Sequence, residues 1–198
     1  MTETAAAPRN RIAMIDILRG FVIVLMALDH TREFTHDSGW AYNALGPEAH
    51  PLVYATRWIT HLCAPTFVLL AGVSIRLQAI GGLPAPSLSA RILKRGFWLI
   101  FLELTVIGFI WSFSIPFLQF WQVIWAIGIS MVIMGAMIHT NYSIILFTGL
   151  AITLGHNLLD IPEAAPGFEA GFLWDLLHHG VFVPYPIAEG HAMLIVYP

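Results

Sequence analysis

Long apolar runs separated by short polar stretches dominate the chain. Each run is close to the length of about twenty residues at which an α-helix crosses a bilayer core roughly 30 Å thick. The five runs are Ile12–Leu28, Trp58–Leu77, Ile92–Phe113, Phe120–Ile138 and Tyr142–Leu159. The pattern therefore predicts an all-α fold, a polytopic transmembrane helical bundle of about five spans.

The two ends of the chain differ from this pattern. Residues 1–10 are small and polar and predict a disordered cytoplasmic tail. The first run is not typical of a cleaved signal peptide, because Asp16 and Arg19 interrupt it and Asp29 follows it where a small-residue cleavage site should lie. We therefore expect a retained first helix.

Two shorter segments follow the fifth run. Residues 171–179 predict a short amphipathic helix, and apolar residues resume at Ala192. The resumed run predicts the start of a sixth helix. We therefore expect residues 11–198 to form one transmembrane domain that is the N-terminal half of a longer protein.

The composition agrees with a membrane protein. Hydrophobic residues make up 58% of the 198 residues and charged residues 11%, against roughly 45–50% and about 25% in soluble domains. The net charge of −3 and the absence of a basic, aromatic-interleaved stripe argue against nucleic-acid binding. The lone Cys63 excludes an internal disulfide.

The basic residues set the predicted orientation, because short cytoplasmic loops carry the excess of Lys and Arg. If five spans alternate, most of the basic residues share one side of the membrane, which places the N-terminus in the cytoplasm. The residues on that side are Arg9, Arg11, Arg76, Arg91, Lys94 and Arg95.

Histidines concentrate on the opposite, outer side in this topology, and only His139 faces the cytoplasm. The outer histidines are His30, His36, His50, His61, His156, His178, His179 and His191. Histidine moves protons near neutral pH and binds metals, so the asymmetry indicates a site on the outer face. Tolerance of histidine in the headgroup region is the alternative, and we prefer it for His50, His178 and His179.

The sharpest local pattern joins the end of the first helix to the start of the second. Asp29 and His30 end the first, His36 follows, and Arg57 and His61 share one face of the second. These residue types supply a general base, an orienting carboxylate and an anion-stabilising group.

Two further charged features lie in or near the spans. Glu103 falls about halfway through the third run, where an ionised carboxylate is costly and normally faces the bundle interior. It either pairs with Arg19 or belongs to a substrate path. Arg91, Lys94 and Arg95 form a cytoplasmic basic group that either anchors the topology or holds a phosphorylated donor.

Taken together, these motifs resemble the bacterial relatives of heparan-alpha-glucosaminide N-acetyltransferase, a family of transmembrane acyltransferases. The resemblance also includes the Glu103 helix. The other motifs on which the resemblance is based are Arg11-Ile12, Asp16-Ile17-Leu18-Arg19-Gly20, Asp29-His30-Thr31-Arg32, Thr56-Arg57-Trp58-Ile59-Thr60-His61-Leu62-Cys63-Ala64-Pro65, Leu70-Ala71-Gly72-Val73-Ser74 and Ala126-Ile127-Gly128.

The resemblance implies an O- or N-acetyltransferase of the bacterial cytoplasmic membrane. It would use cytosolic acetyl-CoA and acetylate an amino or hydroxyl group of an extracytoplasmic sugar or glycan. The family's catalytic histidine precedes a tryptophan, and His36 with Trp40 is the nearest match, with His30 as the rival. Monomer and homodimer are both left open.

Our leading hypothesis assigns each residue a role. His36 or His30 acts as general base or transient acyl carrier, and Asp29 orients it. Arg57, His61 and Glu103 contact the substrate. Acetyl-CoA binds to a basic group. That basic group comprises Arg19, Arg91, Lys94 and Arg95.

Two other classes of function compete with acyl transfer. One is a proton-coupled transporter or channel that uses Glu103 and the outer histidines. The other is a haem or metal protein with His61 and His156 as ligands. No close pair of ligands in the sequence supports the latter, so we expect no metal site.

Overall fold

Helices make up most of the chain, as the apolar runs predict. The computed structural model describes residues 12–35, 46–47, 49–113, 119–169, 171–179, 181–186 and 192–195. Its α-helices are α1 (Ala13–Thr35), α2 (Pro51–Thr60), α3 (Cys63–Ile80), α4 (Ala85–Leu102), α5 (Gly108–Ser112), α6 (Val123–Met137), α7 (Tyr142–Gly155), α8 (Asp160–Glu163) and α9 (Phe172–Trp174). The predicted helical class is confirmed.

Three further helical turns extend these helices. A π turn, Glu103–Ile107, joins α4 to α5, and a second π turn, Asp175–His179, continues α9. A 3₁₀ turn, His156–Leu159, joins α7 to α8. We call the two π turns the Glu103 π turn and the His178 π turn. The predicted amphipathic helix at residues 171–179 corresponds to α9 and the His178 π turn.

The chain divides into two compact units, Met1–Ser74 and Ile75–Pro198. The first contains α1, α2 and most of α3. Helix α2 begins with Pro51, whose fixed φ suits the first helical position, and the His50 ring accepts a hydrogen bond from the Leu52 amide at 3.3 Å. The predicted second span, which begins at Trp58, starts near the C-terminal end of α2, and a turn at His61 and Leu62 divides it.

Two helical segments are long and apolar enough to cross a membrane, Pro51–Ile80 and Tyr142–Glu163, in the part of the chain that the structure describes. Val123–Met137 is a shorter apolar helix. Two other predicted spans, α1 and α4, each carry several charged residues, which lowers their apolar character. The bundle of five spans therefore stays a prediction.

The second unit is built on close packing of α4 against α6. Glycines permit this approach: a Cβ on Gly96 would lie 2.8 Å from the Gly128 carbonyl oxygen, and one on Gly135 would lie 2.8 Å from Leu93 Cγ. The Ser89 hydroxyl donates to the Gly135 carbonyl at 2.6 Å. Small residues let helices approach closely, and hydroxyls form hydrogen bonds between them. Both stabilise helix contacts where burial of apolar surface alone contributes little free energy.

Replacing Gly96 with alanine should therefore destabilise the second unit by about 1–3 kcal/mol, because the added methyl group meets backbone atoms that cannot rotate away. The midpoint of thermal unfolding in detergent measures the effect. Gly149→Ala on α7 is the matched control, since a Cβ there has nothing within 4 Å. Equal midpoints for the two variants would contradict this account of the α4–α6 contact.

A small three-stranded sheet also belongs to the second unit, with strand order β1 (Gln119–Trp121), β3 (Ala192–Ile195), β2 (Val181–Pro186). Strands β1 and β3 are parallel, and β2 and β3 are antiparallel. The expectation that a sixth helix starts at Ala192 is wrong. Strand β1 lies far from β3 in the sequence and β2 lies close to it, so a short apolar run does not reveal the pairing.

Candidate functional site

A polar cluster centred on Asp29 joins α1 to α2. Arg57 Nη1 on α2 forms an ion pair with Asp29 Oδ2. Arg32 Nη2 lies 3.0 Å from Asp29 Oδ1, and the Thr60 hydroxyl donates to the same oxygen at 3.0 Å. The carboxylate thus binds two guanidinium groups and one hydroxyl. We call Asp29, Arg32, Arg57 and Thr60 the Asp29 cluster.

The spacing of the residues explains how the cluster forms. Asp29 and Arg32 are three apart on α1, and Arg57 and Thr60 are three apart on α2, so each pair occupies one helical face. The side chain of Asp29 is 14% exposed, and Thr60 is 5% exposed. A carboxylate buried to this extent is stabilised only when it is paired and hydrogen-bonded, and the two faces supply both.

The same helices line a cavity of about 210 Å³ that is open to the surface. Its lining surface is mainly apolar, and three members of the Asp29 cluster, Asp29, Arg32 and Thr60, contribute to it. The lining residues are Leu28, Asp29 and Arg32 from α1, and Leu52, Val53, Thr56 and Thr60 from α2. Pockets for drug-sized ligands run to roughly 300–1,000 Å³, so this cavity suits a small group such as an acyl group or part of a sugar ring.

Arg57 keeps donor capacity for a ligand. In the part of the chain that the structure describes, its side chain donates through Nη1 alone, and it is 26% exposed. A guanidinium has five N–H donors, and Asp29 fixes its direction without using them all. The arrangement can therefore hold a developing negative charge, as an anion-stabilising group must.

The predicted histidines take up different positions. His30 is half-buried on α1, next to Asp29 in the sequence. His61 is exposed at the end of α2, where its backbone N–H donates to the Arg57 carbonyl. His36 and Trp40 lie outside the described residues. The role of Asp29 in orienting a histidine stays a prediction, because the contacts just given join it to arginines and a threonine.

Glu103 is buried, as its place in the third span predicts. It is 1% exposed and begins the Glu103 π turn. Its Oε1 accepts a hydrogen bond at 2.7 Å from the backbone N–H of Gln122, the residue that precedes α6. The positive end of the α6 dipole stabilises a carboxylate there. Its Oε2 has no hydrogen-bond partner among the described residues.

Arg19 has local partners in the first unit. Its guanidinium donates to the Leu70 carbonyl at 3.4 Å and to the Ser74 hydroxyl, and it lies 3.8 Å from the Asp16 carboxylate. Pairing of Arg19 with Glu103 stays a prediction. Arg19 and Asp29 are about 15 Å apart along α1 at 1.5 Å per residue. The first unit therefore has two separate groups of polar side chains along this helix.

The basic group of α4 forms one exposed face. Arg91, Lys94 and Arg95 are all exposed, while their neighbours Leu88 and Ile92 on the same helix are buried. Arg91 Nη1 donates to Gln78 Oε1 on α3 at 3.3 Å. The three side chains thus remain accessible, as binding of a phosphorylated donor or of lipid headgroups requires.

Sequence reasoning did not single out two members of the Asp29 cluster, Arg32 and Thr60. Arg32 entered only through its motif, and Thr60 only as part of the second-helix pattern. The signal that could have found them is the equal spacing of three residues on both helices, which aligns two pairs of polar groups across one contact.

The comparisons with known proteins agree with the motifs. Residues 11–182 match the family described as heparan-alpha-glucosaminide N-acetyltransferase, catalytic. No curated protein and no solved structure matches significantly. The family match includes the Asp29 cluster, Glu103 and the basic face of α4, and it spans most of the 198 residues. The chain therefore belongs to the family of heparan-alpha-glucosaminide N-acetyltransferase catalytic domains, a membrane-associated family of acyltransferases.

Proposed function

We propose that the chain carries out acetyl transfer from cytosolic acetyl-CoA to an amino or hydroxyl group of an extracytoplasmic sugar or glycan. The observation that carries this proposal is the Asp29 cluster, of which Asp29, Arg32 and Thr60 line a small, mainly apolar cavity. Family membership supplies the reaction class. The donor, the acceptor and the direction of transfer belong to the proposal.

The chemistry requires two groups beside the acceptor. The acceptor oxygen or nitrogen attacks the thioester carbonyl carbon, the C–S bond breaks, and coenzyme A leaves as a thiol after gaining a proton. A base must remove the acceptor proton, and His36 or His30 fills that role, directly or after carrying the acetyl group itself. A cation must stabilise the negative charge that develops on the carbonyl oxygen.

Arg57 is the group that we assign to this oxygen, with His61 one turn further along α2 as a second contact to the substrate. The buried carboxylate of Asp29 holds the guanidinium in one direction, so little reorganisation is needed as charge develops. Arg32 and Thr60 in turn hold the carboxylate. Burial of the Asp29 side chain, which is 14% exposed, strengthens these interactions by lowering the local dielectric.

The donor end of the reaction uses the basic residues. Arg91, Lys94 and Arg95 are exposed on one face of α4, which suits the phosphates of acetyl-CoA. Arg19 contributes positive charge, although Asp16, Leu70 and Ser74 already engage it. Glu103 contributes to the substrate path through Oε2, which has no hydrogen-bond partner within the described ranges.

We place the protein in the bacterial cytoplasmic membrane with its N-terminus in the cytoplasm. The two helical segments that could cross a membrane support membrane insertion. The distribution of Lys and Arg supports the orientation. No nucleic acid takes part.

The test is acetyl transfer by the full-length protein in proteoliposomes. Labelled acetyl-CoA is supplied on the side of the basic residues, and glucosamine or a bacterial polysaccharide on the other. We expect acetylated acceptor, identified by mass spectrometry, with one coenzyme A released per acetyl group. Vesicles without acceptor are the control. Failure to acetylate any amino sugar or polysaccharide would overturn the proposal, and proton-coupled uptake without acetyl-CoA would indicate the transporter instead.

A further inference from the structure

A second cluster of chemistry-bearing side chains lies after α7, away from the residues assigned to acetyl transfer. Asp160 and Glu163 belong to α8, and His178 belongs to the His178 π turn. His178 Nε2 lies 2.9 Å from Asp160 Oδ1 and 3.9 Å from Glu163 Oε2. We call these three residues the His178 triad.

The geometry points to a binding site for a divalent transition-metal ion, and we propose that the His178 triad binds Zn²⁺. The three ligand atoms lie within 4.8 Å of one another. Ligands that bind one zinc ion at 2.0–2.2 Å stand roughly 3–4 Å apart, so a small closure of the triad completes the site. One imidazole nitrogen and two carboxylate oxygens are ligands that zinc accepts.

The burial of the imidazole supports metal binding over a simple ion pair. The His178 side chain is only 7% exposed, and its Nε2 points towards two carboxylates at once. A proton on Nε2 can form a good hydrogen bond to only one of the two carboxylates, that of Asp160 at 2.9 Å. It contributes little to the interaction with Glu163 at 3.9 Å. A divalent cation satisfies all three groups together, because its charge offsets both carboxylates.

Neighbouring groups hold the triad in position. The Trp174 indole N–H donates to Glu163 Oε2 at 3.4 Å, and its ring packs edge-on against His178 with centroids 5.1 Å apart. Partners of this kind orient metal ligands and raise affinity. The Asp160 side chain is 62% exposed, which leaves an approach for the ion and a position for water.

The proposal departs from the expectation of no metal. Asp160 and His178 are separated by 18 positions in the sequence, so no local ligand motif is visible. A bound ion would link α8 to the His178 π turn through its ligands and so restrict the distance between these two elements. The proposal does not rest on the proposed acetyl transfer, because an inactive protein could bind zinc at this site.

The test titrates the purified protein, stripped with chelator and kept in detergent, with Zn²⁺ in a calorimeter. We expect one ion per chain from the titration and from elemental analysis. Co²⁺ in place of zinc should give visible ligand-field bands. His178→Ala should weaken binding at least about 100-fold, since even loss of an outer partner costs about 10–100-fold. Glu163→Gln should also weaken binding, which a mere His178–Asp160 pair would not require.

His156→Ala is the matched control, because His156 is exposed and its Nδ1 contacts only the Thr153 carbonyl at 3.0 Å among the described residues. It should bind zinc as the unchanged protein does. Thermal unfolding with chelator present checks that each variant is folded. The proposal is overturned if no stoichiometric zinc binds, if His178→Ala binds as tightly as His156→Ala, or if Ca²⁺ competes equally with Zn²⁺.

Discussion

Replacing His36 with alanine is expected to lower the rate of acetyl transfer by about 10²–10⁴-fold, the usual contribution of a positioned histidine to proton transfer. The resemblance to the acetyltransferase family places the catalytic histidine here, ahead of Trp40. Insertion into the membrane and thermal stability should not change. The measurement is acetylated sugar formed per minute by the full-length variant in proteoliposomes.

His30→Ala is the comparison that decides between the two histidines. His30 follows Asp29 on α1 and is half-buried, so it is the rival base. Near-normal turnover in His36→Ala together with an inactive His30→Ala would move the base to His30. Turnover in both variants would remove every histidine of this segment from the mechanism and contradict the proposed chemistry.

The second large effect is expected from Asp29→Ala. The change leaves the guanidinium groups of Arg32 and Arg57 without their shared carboxylate in a largely buried place. We expect a loss of about 1–3 kcal/mol in the free energy of unfolding. Acetyl transfer should fall by about 10²-fold, because a displacement of Arg57 by about 1 Å has that cost. Thermal unfolding and kinetics of the same preparation give both numbers.

Asp16→Ala is the matched control for Asp29→Ala. Asp16 belongs to the same helix and also faces an arginine, Arg19, but the two groups are 3.8 Å apart and well exposed. Exposed ion pairs contribute about 0–1 kcal/mol. If the two aspartate variants lose equal stability, the Asp29 cluster is an ordinary surface pair. If Asp29→Ala raises KM but leaves kcat unchanged, Arg57 does not stabilise the transition state.

The helices were largely predictable, and their ends were less so. The apolar run ends at Leu28, yet α1 continues to Thr35, where the Thr31 and Thr35 hydroxyls bond to carbonyls one turn earlier. Hydropathy indicates where an apolar segment ends, but a helix can continue beyond that residue into polar surroundings. Likewise, the apolar pattern passes through His61 and Leu62, where the structure places a turn between α2 and α3.

The candidate site was predictable only where neighbours in sequence are also neighbours in space. The approach of Asp29 to Arg57 followed from placing both at one end of adjacent spans, and the structure shows their ion pair. The hydrogen bond from Gln122 to Glu103 depends on a π turn, which no residue pattern indicates. Asp160 and His178 meet across a loop with Gly167 in the left-handed region, at φ 84°.

The Glu103 π turn also has a consequence for how related sequences align. A π turn holds one residue more than α-helical geometry needs, so it is equivalent to a single-residue insertion absorbed within a helix. A relative that lacks this residue would show a one-position gap between 103 and 107. Its helix would then run straight, with the residues on one side of the gap rotated by about 100° relative to those on the other. An alignment that ignores the gap would assign the carboxylate to the wrong face.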